Sequence, residues 1–476
     1  MTDSTLSASH APQHAAPPDP RRWAALTVLC LAQFMLILDV TVVNVALPDI
    51  GADLRLSRSA LTWVVTSYTL AFGGLMLLGG RLADALGARR TFLAGLALFA
   101  GASLAAGLAG GAGALLTARA AQGVGAALLS PAALSLVTST FDGEERRRAL
   151  GVWAGIGGAG AAVGVLLGGL LTSGPGWHWI FYVNVPVGVA VLAVLPSLVA
   201  ARPPRPARLD LPGAVLVTGG TVALIKGVVT AGDQGWSSAQ ALIPLALAAV
   251  LYAAFAIVER AAGAPLIDVR LLARRPVLAG AFLILVATAL LISTFFLTSV
   301  HLQQNRGYSA LRTGVAFLPI AVATGAGAHI AGRLLGTVGA RQLAAAGMAV
   351  AALGLVPVAW THQGSGVWST LVPALSVASF GIGAVFVTAF TTGLAMVPAA
   401  DSGLASGALN TFHEVGGSIG VAVVSTIAAS GIQGGVASAF AHAYAACAIA
   451  AGAAALVALV VVPPGKPRMA GGPHGH

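Results

Sequence analysis

Long apolar runs, separated by short polar segments, make up most of this chain. A helix needs about 20 apolar residues to cross the hydrocarbon core of a bilayer, and fourteen runs reach that length. The pattern therefore predicts an all-α membrane protein with fourteen transmembrane helices. The predicted spans lie near residues 23–48, 60–79, 91–110, 114–139, 150–172, 179–200, 212–230, 241–259, 277–300, 313–332, 342–360, 367–397, 403–429 and 438–462.

The distribution of Lys and Arg predicts which way these spans run. Cytosolic loops of membrane proteins carry an excess of basic residues. With the N-terminus inside, 19 of the 25 Lys and Arg residues fall in cytosolic segments and four in external loops. The other two, Arg119 and Lys226, fall within spans. A missed span would reverse the sidedness of every later loop and abolish this excess of basic residues in the cytosolic segments. The excess therefore supports both the number of spans and a cytosolic position for both termini.

Composition excludes most soluble classes of protein. The chain is 57% hydrophobic and 8% charged, with a mean hydropathy of +0.89, which is too little charge for a soluble protein of 476 residues. The net charge of +10 does not indicate nucleic-acid binding, because the basic residues punctuate apolar spans and form no soluble domain. Cys30 and Cys447 lie inside apolar runs and are predicted to be small buried hydrophobes, without a disulfide or a metal.

A ten-residue loop sequence occurs twice. Residues 80–89 read GRLADALGAR and residues 332–341 read GRLLGTVGAR, identical at six of ten positions, and both loops are predicted to be cytosolic. Chance recurrence in a composition rich in Gly, Ala and Arg is the alternative. The two copies follow the second and the tenth predicted spans, an offset of eight helices. The simplest explanation is that the chain has two six-helix halves with two helices inserted between them. Parallel six-helix halves are the arrangement of major facilitator transporters.

This 6+2+6 arrangement divides the chain into five segments. Residues 1–22 are polar and Pro-rich, and are predicted to be a disordered cytosolic tail. The N-terminal six-helix bundle covers residues 23–201, the two inserted helices with their cytosolic linkers cover 202–276, and the C-terminal six-helix bundle covers 277–462. Residues 463–476 form a second cytosolic tail.

Six motifs, in order along the chain, resemble those of one transporter family. They are LDVTVVNVALP from residue 38, WVVTSYTL from 63, GRLADALGARR from 80, WHWIFYVNVPVG from 177, LQQNRGYSALRTG from 302 and SGALNTFHEVGGSIGVA from 406. With these motifs the chain resembles the fourteen-span drug:proton antiporters of the major facilitator superfamily, from about residue 23 to 463. Ala85, Ala88 and His178 stand where the family usually has Arg.

The fifth span carries the glycine spacing that separates exporters from importers in the resembling family, G-x8-G-x3-G-P-x2-G-G. Val165 stands where that pattern has Pro, so an expected kink is missing. Generic small-residue packing between membrane helices is the alternative interpretation. The residues that match are Gly151, Gly160, Gly164, Gly168 and Gly169.

Three charged residues at membrane depth are the candidates for proton coupling. A charged side chain at the centre of a membrane helix costs about 2.5–3.5 kcal/mol even on insertion scales. Asp39 and Arg119 both fall in the outer half of the membrane, where an Asp balanced between burial and a neighbouring Arg can be switched by conformation. A static ion pair between two helices is the alternative. Glu414 is predicted to be a second proton site, a cation attractor or an interhelical hydrogen-bond former.

The loop after the second span is predicted to control conformational switching. In the resembling family, the residues at these positions tie the cytosolic ends of helices together in one conformation. A solvated loop with a helix cap is the alternative. The residues that the resemblance implies are Gly80, Asp84, Gly87 and Arg89.

The resemblance implies a proton-coupled exporter of amphipathic drugs, antibiotics or toxic metabolites, working by alternating access. The partners predicted for it are a small amphipathic substrate, protons and the lipid bilayer, with the chain a monomer in the bacterial cytoplasmic membrane. No enzyme activity, cofactor, metal or ATP use is predicted, since no phosphate-binding G-x-x-x-x-G-K-[ST] loop or metal-ligand spacing occurs. An exporter of a lipid or siderophore-like metabolite and a non-transporting membrane sensor are the alternatives.

Overall fold

The structure, a computed structural model, describes residues 21–141, 143–200, 210–261, 274–360, 366–395, 397, 402–429 and 437–465. Every regular element in these ranges is a helix, as the sequence predicts. The predicted disordered tails lie almost wholly outside the described residues. The first seven helices are α1 (Arg22–Asp53), α2 (Arg58–Leu86), α3 (Ala88–Gly107), α4 (Ala112–Thr140), α5 (Gly143–Ser173), α6 (Trp179–Tyr182) and α7 (Asn184–Leu198).

The eight later helices follow the same pattern of long helices and short connections. Two of them adjoin a short π-helical segment, at His301–Asn305 and Val367–Leu371. The later helices are α8 (Leu211–Gln234), α9 (Ala239–Ala261), α10 (Arg275–Val300), α11 (Ala310–Leu334), α12 (Ala340–Ala359), α13 (Val372–Leu394), α14 (Ser402–Ile427) and α15 (Ala437–Val461).

Ten helical spans within the described residues are long and apolar enough to cross a membrane. Shorter apolar stretches within α2, α5 and α8 add Ala60–Met76, Val163–Ser173 and Pro212–Val228. The predicted sixth span is two helices, α6 and α7, joined at Val183. Pro186 then falls in the first turn of α7, where a helix needs no amide donor. With Val165 in place of Pro, α5 is continuous from Gly143 to Ser173.

The packing of the helices recurs along the chain. In the first part, α2 and α3 pack on α4, and α1 packs on α5. In the later part, α11 and α12 pack on α13, and α10 packs on α14. The two copies of the loop sequence also share their backbone conformation, with φ of +94° at Gly87 and +96° at Gly339. Residues with a Cβ rarely adopt a positive φ, so both copies need a glycine at this position.

Two seams connect the first part of the chain to the later part. In the first seam α2 packs on α14, and in the second α5 packs on α11. Thr62 Oγ1 donates to Ser425 Oγ at 3.0 Å, and the hydroxyl groups of Thr69 and Ser418 hydrogen-bond across the same seam.

The helices α8 and α9 lie outside these packed helices. Helix α8 packs on α2 and α14, with Thr218 Oγ1 donating to the carbonyl of Gly74 at 3.0 Å. Helix α9 packs mainly on α8, and large apolar side chains such as Ile243 and Val250 are exposed along it. An apolar helix surface of this kind is suited to lipid, so the pair sits at the edge of the molecule.

Candidate functional site

Asp39 lies in α1 with its side chain sealed from solvent. The residue is 1% exposed, and its carboxylate accepts hydrogen bonds from three side chains. Arg119 Nη1 in α4 lies 2.5 Å from Asp39 Oδ2, while Gln122 Nε2 and Asn184 Nδ2 each donate to Oδ1 at 3.1 Å. The structure therefore brings together the two intramembrane charges that the sequence predicts could pair.

Arg119 is held by α2 as well as by Asp39. Its Nε donates to the carbonyl of Val64 at 3.0 Å, and its guanidinium carbon lies 4.4 Å from the centre of the Tyr68 ring. A cation over an aromatic face gains about 2 kcal/mol or more when both are desolvated. Arg119 is itself 1% exposed, so its charge is balanced by the carboxylate and by the ring and not by water.

Gln122 and Asn184 complete the cluster through a shared partner. Both side-chain amides also donate to Ser103 Oγ in α3, at 2.8 and 3.4 Å. Gln122 Oε1 in turn accepts from Arg119 Nη1 at 3.0 Å. We call these five residues, from α1, α3, α4 and α7, the buried polar cluster; its members are Asp39, Ser103, Arg119, Gln122 and Asn184.

The hydrogen-bond directions in the buried polar cluster fit an ionised Asp39. Arg and amide N–H groups only donate, and every side-chain partner of the Asp39 carboxylate is of that kind. A protonated carboxyl has an O–H that needs an acceptor, and none faces it among these partners. In this arrangement the side chains around Asp39 thus present donors, and no acceptor, to its carboxylate oxygens.

The glycines of the fifth span bring α5 onto α1 beside Asp39. A Cβ at Gly160 would lie 3.0 Å from a side-chain carbon of Ile37, and one at Gly168 would lie 3.0 Å from Val42 Cα. At Gly164 a Cβ would collide with the hydroxyl of Thr41. Spaced four residues apart, these glycines form one face of α5 that contacts the turns of α1 on either side of Asp39.

The last glycine of the pattern faces the second seam instead. A Cβ at Gly169 would lie 2.7 Å from the carbonyl of Ala310 in α11, and Gly314 of α11 approaches the carbonyl of Val165 as closely. The pattern thus places α5 between α1 and α11. Gly151 lies earlier in α5, where side-chain packing is outside the described residues.

The loop between α2 and α3 turns at Gly87, in a backbone conformation that requires a glycine. Gly87 ends α2 and begins α3 with φ of +94°. Gly80 faces Pro131 of α4, with 3.8 Å between its would-be Cβ and the Pro131 Cβ. Arg89 lies in the first turn of α3, half-buried, and the side chain of Asp84 is outside the described residues. The switching role of this loop remains a prediction.

Glu414 lies on the first seam, in a different environment from the buried polar cluster. A Cβ at Gly73 of α2 would collide with Glu414 Cβ, so the two backbones touch there. The Glu414 side chain is partly exposed, and no ion pair that includes it occurs among the described residues. The ring centre of its neighbour His413 lies 5.6 Å from that of Phe386, with the two rings tilted by 38°. Because Gly73, Thr69 and Thr62 fall on one face of α2, Glu414 continues the seam formed by the hydroxyl pairs.

Two residues of this region were not singled out from the sequence. Ser103 is a small polar residue in an otherwise apolar run, which is the signal that could have found it. Tyr68 lies in the second-span motif of α2, is fully buried, and its ring lies against the Arg119 guanidinium, one residue before Thr69 of the first seam. Tyr68 therefore stands between the buried polar cluster and the first seam. Among the described residues, no three His, Cys, Asp or Glu side chains are grouped as metal ligands.

Comparison with known families places this geometry in context. A family model described as Major Facilitator Superfamily matches residues 29–421. That range includes all five residues of the buried polar cluster and Glu414.

Several curated proteins are similar over most of this chain. The puromycin resistance protein of Streptomyces alboniger is 40% identical over 86% of this chain and 82% of its own length. The cephamycin export protein of Amycolatopsis lactamdurans is 40% identical over 88% of this chain and 87% of its own. The lincomycin resistance protein of Streptomyces lincolnensis is 36% identical over 93% of this chain and 92% of its own.

Solved structures share the fold. A crystal structure of a peptide transporter aligns with a TM-score of 0.66 over 92% of this chain and 94% of that one, at 18% identity. At that identity the similarity concerns the fold alone.

Proposed function

The chain belongs to the major facilitator superfamily, and we propose that it is a proton-coupled exporter of amphipathic antibiotics or other toxic metabolites. It is a membrane transporter and not an enzyme. Relatives named for puromycin, cephamycin and lincomycin support an antibiotic or a related metabolite as the substrate. Export of a lipid or a siderophore-like metabolite is the alternative within transporters, and a non-transporting sensor is the alternative outside them.

We propose fourteen spans for the full chain, arranged as two six-helix halves with α8 and α9 inserted between them. The recurring helix packing and the two matching glycine loops support this arrangement. The N-terminal half would cover residues 23–201 and the C-terminal half 277–462, with both termini in the cytosol and the chain working as a monomer. Substrate would bind between the halves and cross as the seams open and close alternately.

The observation that carries the coupling proposal is the buried Asp39–Arg119 pair. The three side chains that hydrogen-bond to the Asp39 carboxylate are all donors, which supports a resting state with Asp39 paired to Arg119. A proton arriving from outside would neutralise Asp39 after Arg119 withdraws, and Arg119 would then rely on Val64 and Tyr68 for its contacts. Release of that proton to the cytosol would restore the ion pair. Asp39 would thus alternate between pairing with Arg119 and binding a proton, and each of these two states would belong to a different conformation of the transporter.

Glu414 and the loop glycines complete the proposal. Glu414 packs against Gly73 on the first seam. If α2 and α14 separate there during transport, its carboxylate would meet protons or a cationic substrate. The loop residues Gly80, Asp84, Gly87 and Arg89 would lock the cytosolic ends of the helices in one state.

Everted membrane vesicles test the export function directly. Vesicles containing this chain should accumulate puromycin or another antibiotic when their interior is acidified, and an ionophore that collapses the pH gradient should abolish the accumulation. Vesicles with the same amount of the Asp39→Asn variant are the comparison. If no antibiotic accumulates but a labelled lipid does, the lipid alternative replaces the proposal. If nothing is transported, the sensor alternative stands.

A further inference from the structure

A cavity of about 900 Å³ opens on the outside of the helix packing, between α2, α8 and α9. Ligand sites in proteins commonly have volumes of this order. Leu75 and Leu78 of α2 form its floor, and exposed side chains such as Val222 and Leu247 form its rim. These rim side chains are apolar and lie on the outer side of the helices. The cavity therefore opens toward the hydrocarbon region of a bilayer. We call it the lateral groove.

One end of the lateral groove is polar and charged. Lys226, Thr230 and Gln234 recur every four residues and so share one face of α8. Gln240, at the start of α9, lines the same end, close to the short connection between the two helices. The other end, near Val215 and Leu251, is lined by apolar side chains. The groove thus has the two-ended character of a lipid molecule.

Lys226 is a charge without a protein partner among the described residues. It lies eight residues, or about 12 Å, from Gln234 at the end of α8, and no ion pair in the described part of the chain includes it. Helical side chains tilt toward the N-terminus of their helix, which points Lys226 away from the nearer membrane surface. Lys226 is one of the residues that line the groove, where a lone charge is costly.

We propose that the lateral groove binds one anionic phospholipid, with its phosphate on Lys226. Thr230, Gln234 and Gln240 would donate to the head group, and an acyl chain would lie along Val222 and Leu247. The occupant is a membrane lipid because the groove opens to the bilayer, and an anionic one because the one charge among its described lining residues is positive. This site is separate from the seams and the buried polar cluster, and it does not depend on the proposed export function.

Native mass spectrometry of the purified full-length protein tests the site. Protein in mild detergent is titrated with phosphatidylglycerol or with phosphatidylcholine, and the fraction retaining one lipid is measured. The wild-type protein should retain phosphatidylglycerol preferentially. Lys226→Gln should lower that retention about fivefold or more, since one Lys contributes about 1 kcal/mol to anionic lipid binding. Lys226→Arg should keep it.

Two further variants separate the groove from general electrostatic attraction. Arg312→Gln removes a cation that stacks on Tyr308 away from the groove, and it should leave lipid retention unchanged. Val222→Trp leaves Lys226 intact but fills the groove, and it should lower phosphatidylglycerol retention as Lys226→Gln does. Equal retention of the two lipids by the wild type, or unchanged retention in both Lys226→Gln and Val222→Trp, would overturn the proposal.

Discussion

Hydrogen-bond donors meet both carboxylate oxygens of Asp39, which compensates a buried charge there for its lost hydration. Two amides and one guanidinium meet it at 2.5–3.1 Å. Such a group is expensive to disturb: removing one partner of a buried ion pair costs about 3–5 kcal/mol, because the other charge is left uncompensated. The same property makes the pair suited to coupling, since protonation of Asp39 removes the reason for Arg119 to stay.

Arg119→Ala should destabilise the protein more than Asp39→Asn does. The first change leaves a buried carboxylate with only amide donors. Asp39→Asn leaves Arg119 without its counter-ion, but the Val64 carbonyl, Gln122 Oε1 and the Tyr68 ring still contact the guanidinium, and Asn keeps the size of Asp. We expect a loss of about 3 kcal/mol or more for Arg119→Ala, visible as a lower midpoint of thermal unfolding in detergent. The double variant Asp39→Asn/Arg119→Gln should recover part of the stability without restoring pH-driven transport. If it restores transport, the pair is only structural.

Two substitutions of Tyr68 can distinguish the contribution of its ring from that of its hydroxyl. Its hydroxyl is buried with no hydrogen-bond partner among the described residues, while its ring covers Arg119. Tyr68→Phe should therefore keep expression and thermal stability near the wild type, and Tyr68→Leu should lose about 2 kcal/mol with the cation–π contact. Equal stability of the Phe and Leu variants would show that the ring does not hold Arg119.

At the scale of the helix, glycine decides how near α5 comes to α1. Gly164→Val should push the helices apart beside Thr41, at a cost of about 1–3 kcal/mol for overpacking, and should reduce transport at equal protein level. Gly101→Val in α3 is the matched control, because no atom in the described part of the chain lies within 4 Å of a Cβ built there. If both variants transport alike, the glycine face of α5 has no special role.

The loop between α2 and α3 gives a second test at the scale of the helix. Asp84→Asn should reduce transport more than it reduces protein level or substrate binding, because the proposed role is in switching. Ala85→Asn, one residue along the same helix end, is the control for a change of surface polarity. Normal transport by Asp84→Asn at normal expression would mean that the loop is only a linker here.

How much of the site could be predicted from the sequence differs from residue to residue. Asp39 and Arg119 stand out because charges in apolar runs are rare, and their similar depth indicates a pair. Asn184, which donates to the carboxylate, and Ser103, which accepts from Gln122, come from other helices, so only the folded arrangement brings them into the cluster. The contact of Glu414 with Gly73 depends on how α14 packs on α2, and span patterns contain no information on that packing.

At the scale of the whole molecule, the first seam should have to open during transport. With Cys30 and Cys447 replaced by Ala, the pair Thr62→Cys/Ser425→Cys should form a disulfide readily, since the native hydroxyl groups lie 3.0 Å apart. Oxidation should stop transport, and a reductant should restore it. Thr62→Cys/Thr426→Cys is the control pair, because Thr426 follows Ser425 in α14 and its side chain points in a different direction around the helix. A cross-linked protein that still transports would place the moving seam elsewhere.

The larger architecture follows from sequence more readily than the position of α8 and α9. Apolar length and the repeated loop predict helices and their pairing, because membrane helices are autonomous and each must satisfy its own backbone. Whether an inserted pair lies inside or outside the bundle depends on side-chain contacts such as that of Thr218 with Gly74. The exposed apolar surface of α9 becomes evident only once its neighbours are placed.

The most direct test of the account compares two transport modes of Asp39→Asn in proteoliposomes. Accumulation driven by an imposed pH gradient requires proton binding and release, whereas exchange of labelled for unlabelled substrate requires only alternating access. We predict that Asp39→Asn loses gradient-driven accumulation and retains exchange, while Asp53→Asn, an acid at the end of the same helix that accepts from Trp177 Nε1, retains both. Gradient-driven accumulation at the wild-type level in Asp39→Asn would contradict the account and move the proton site to another group, with Glu414 the next candidate.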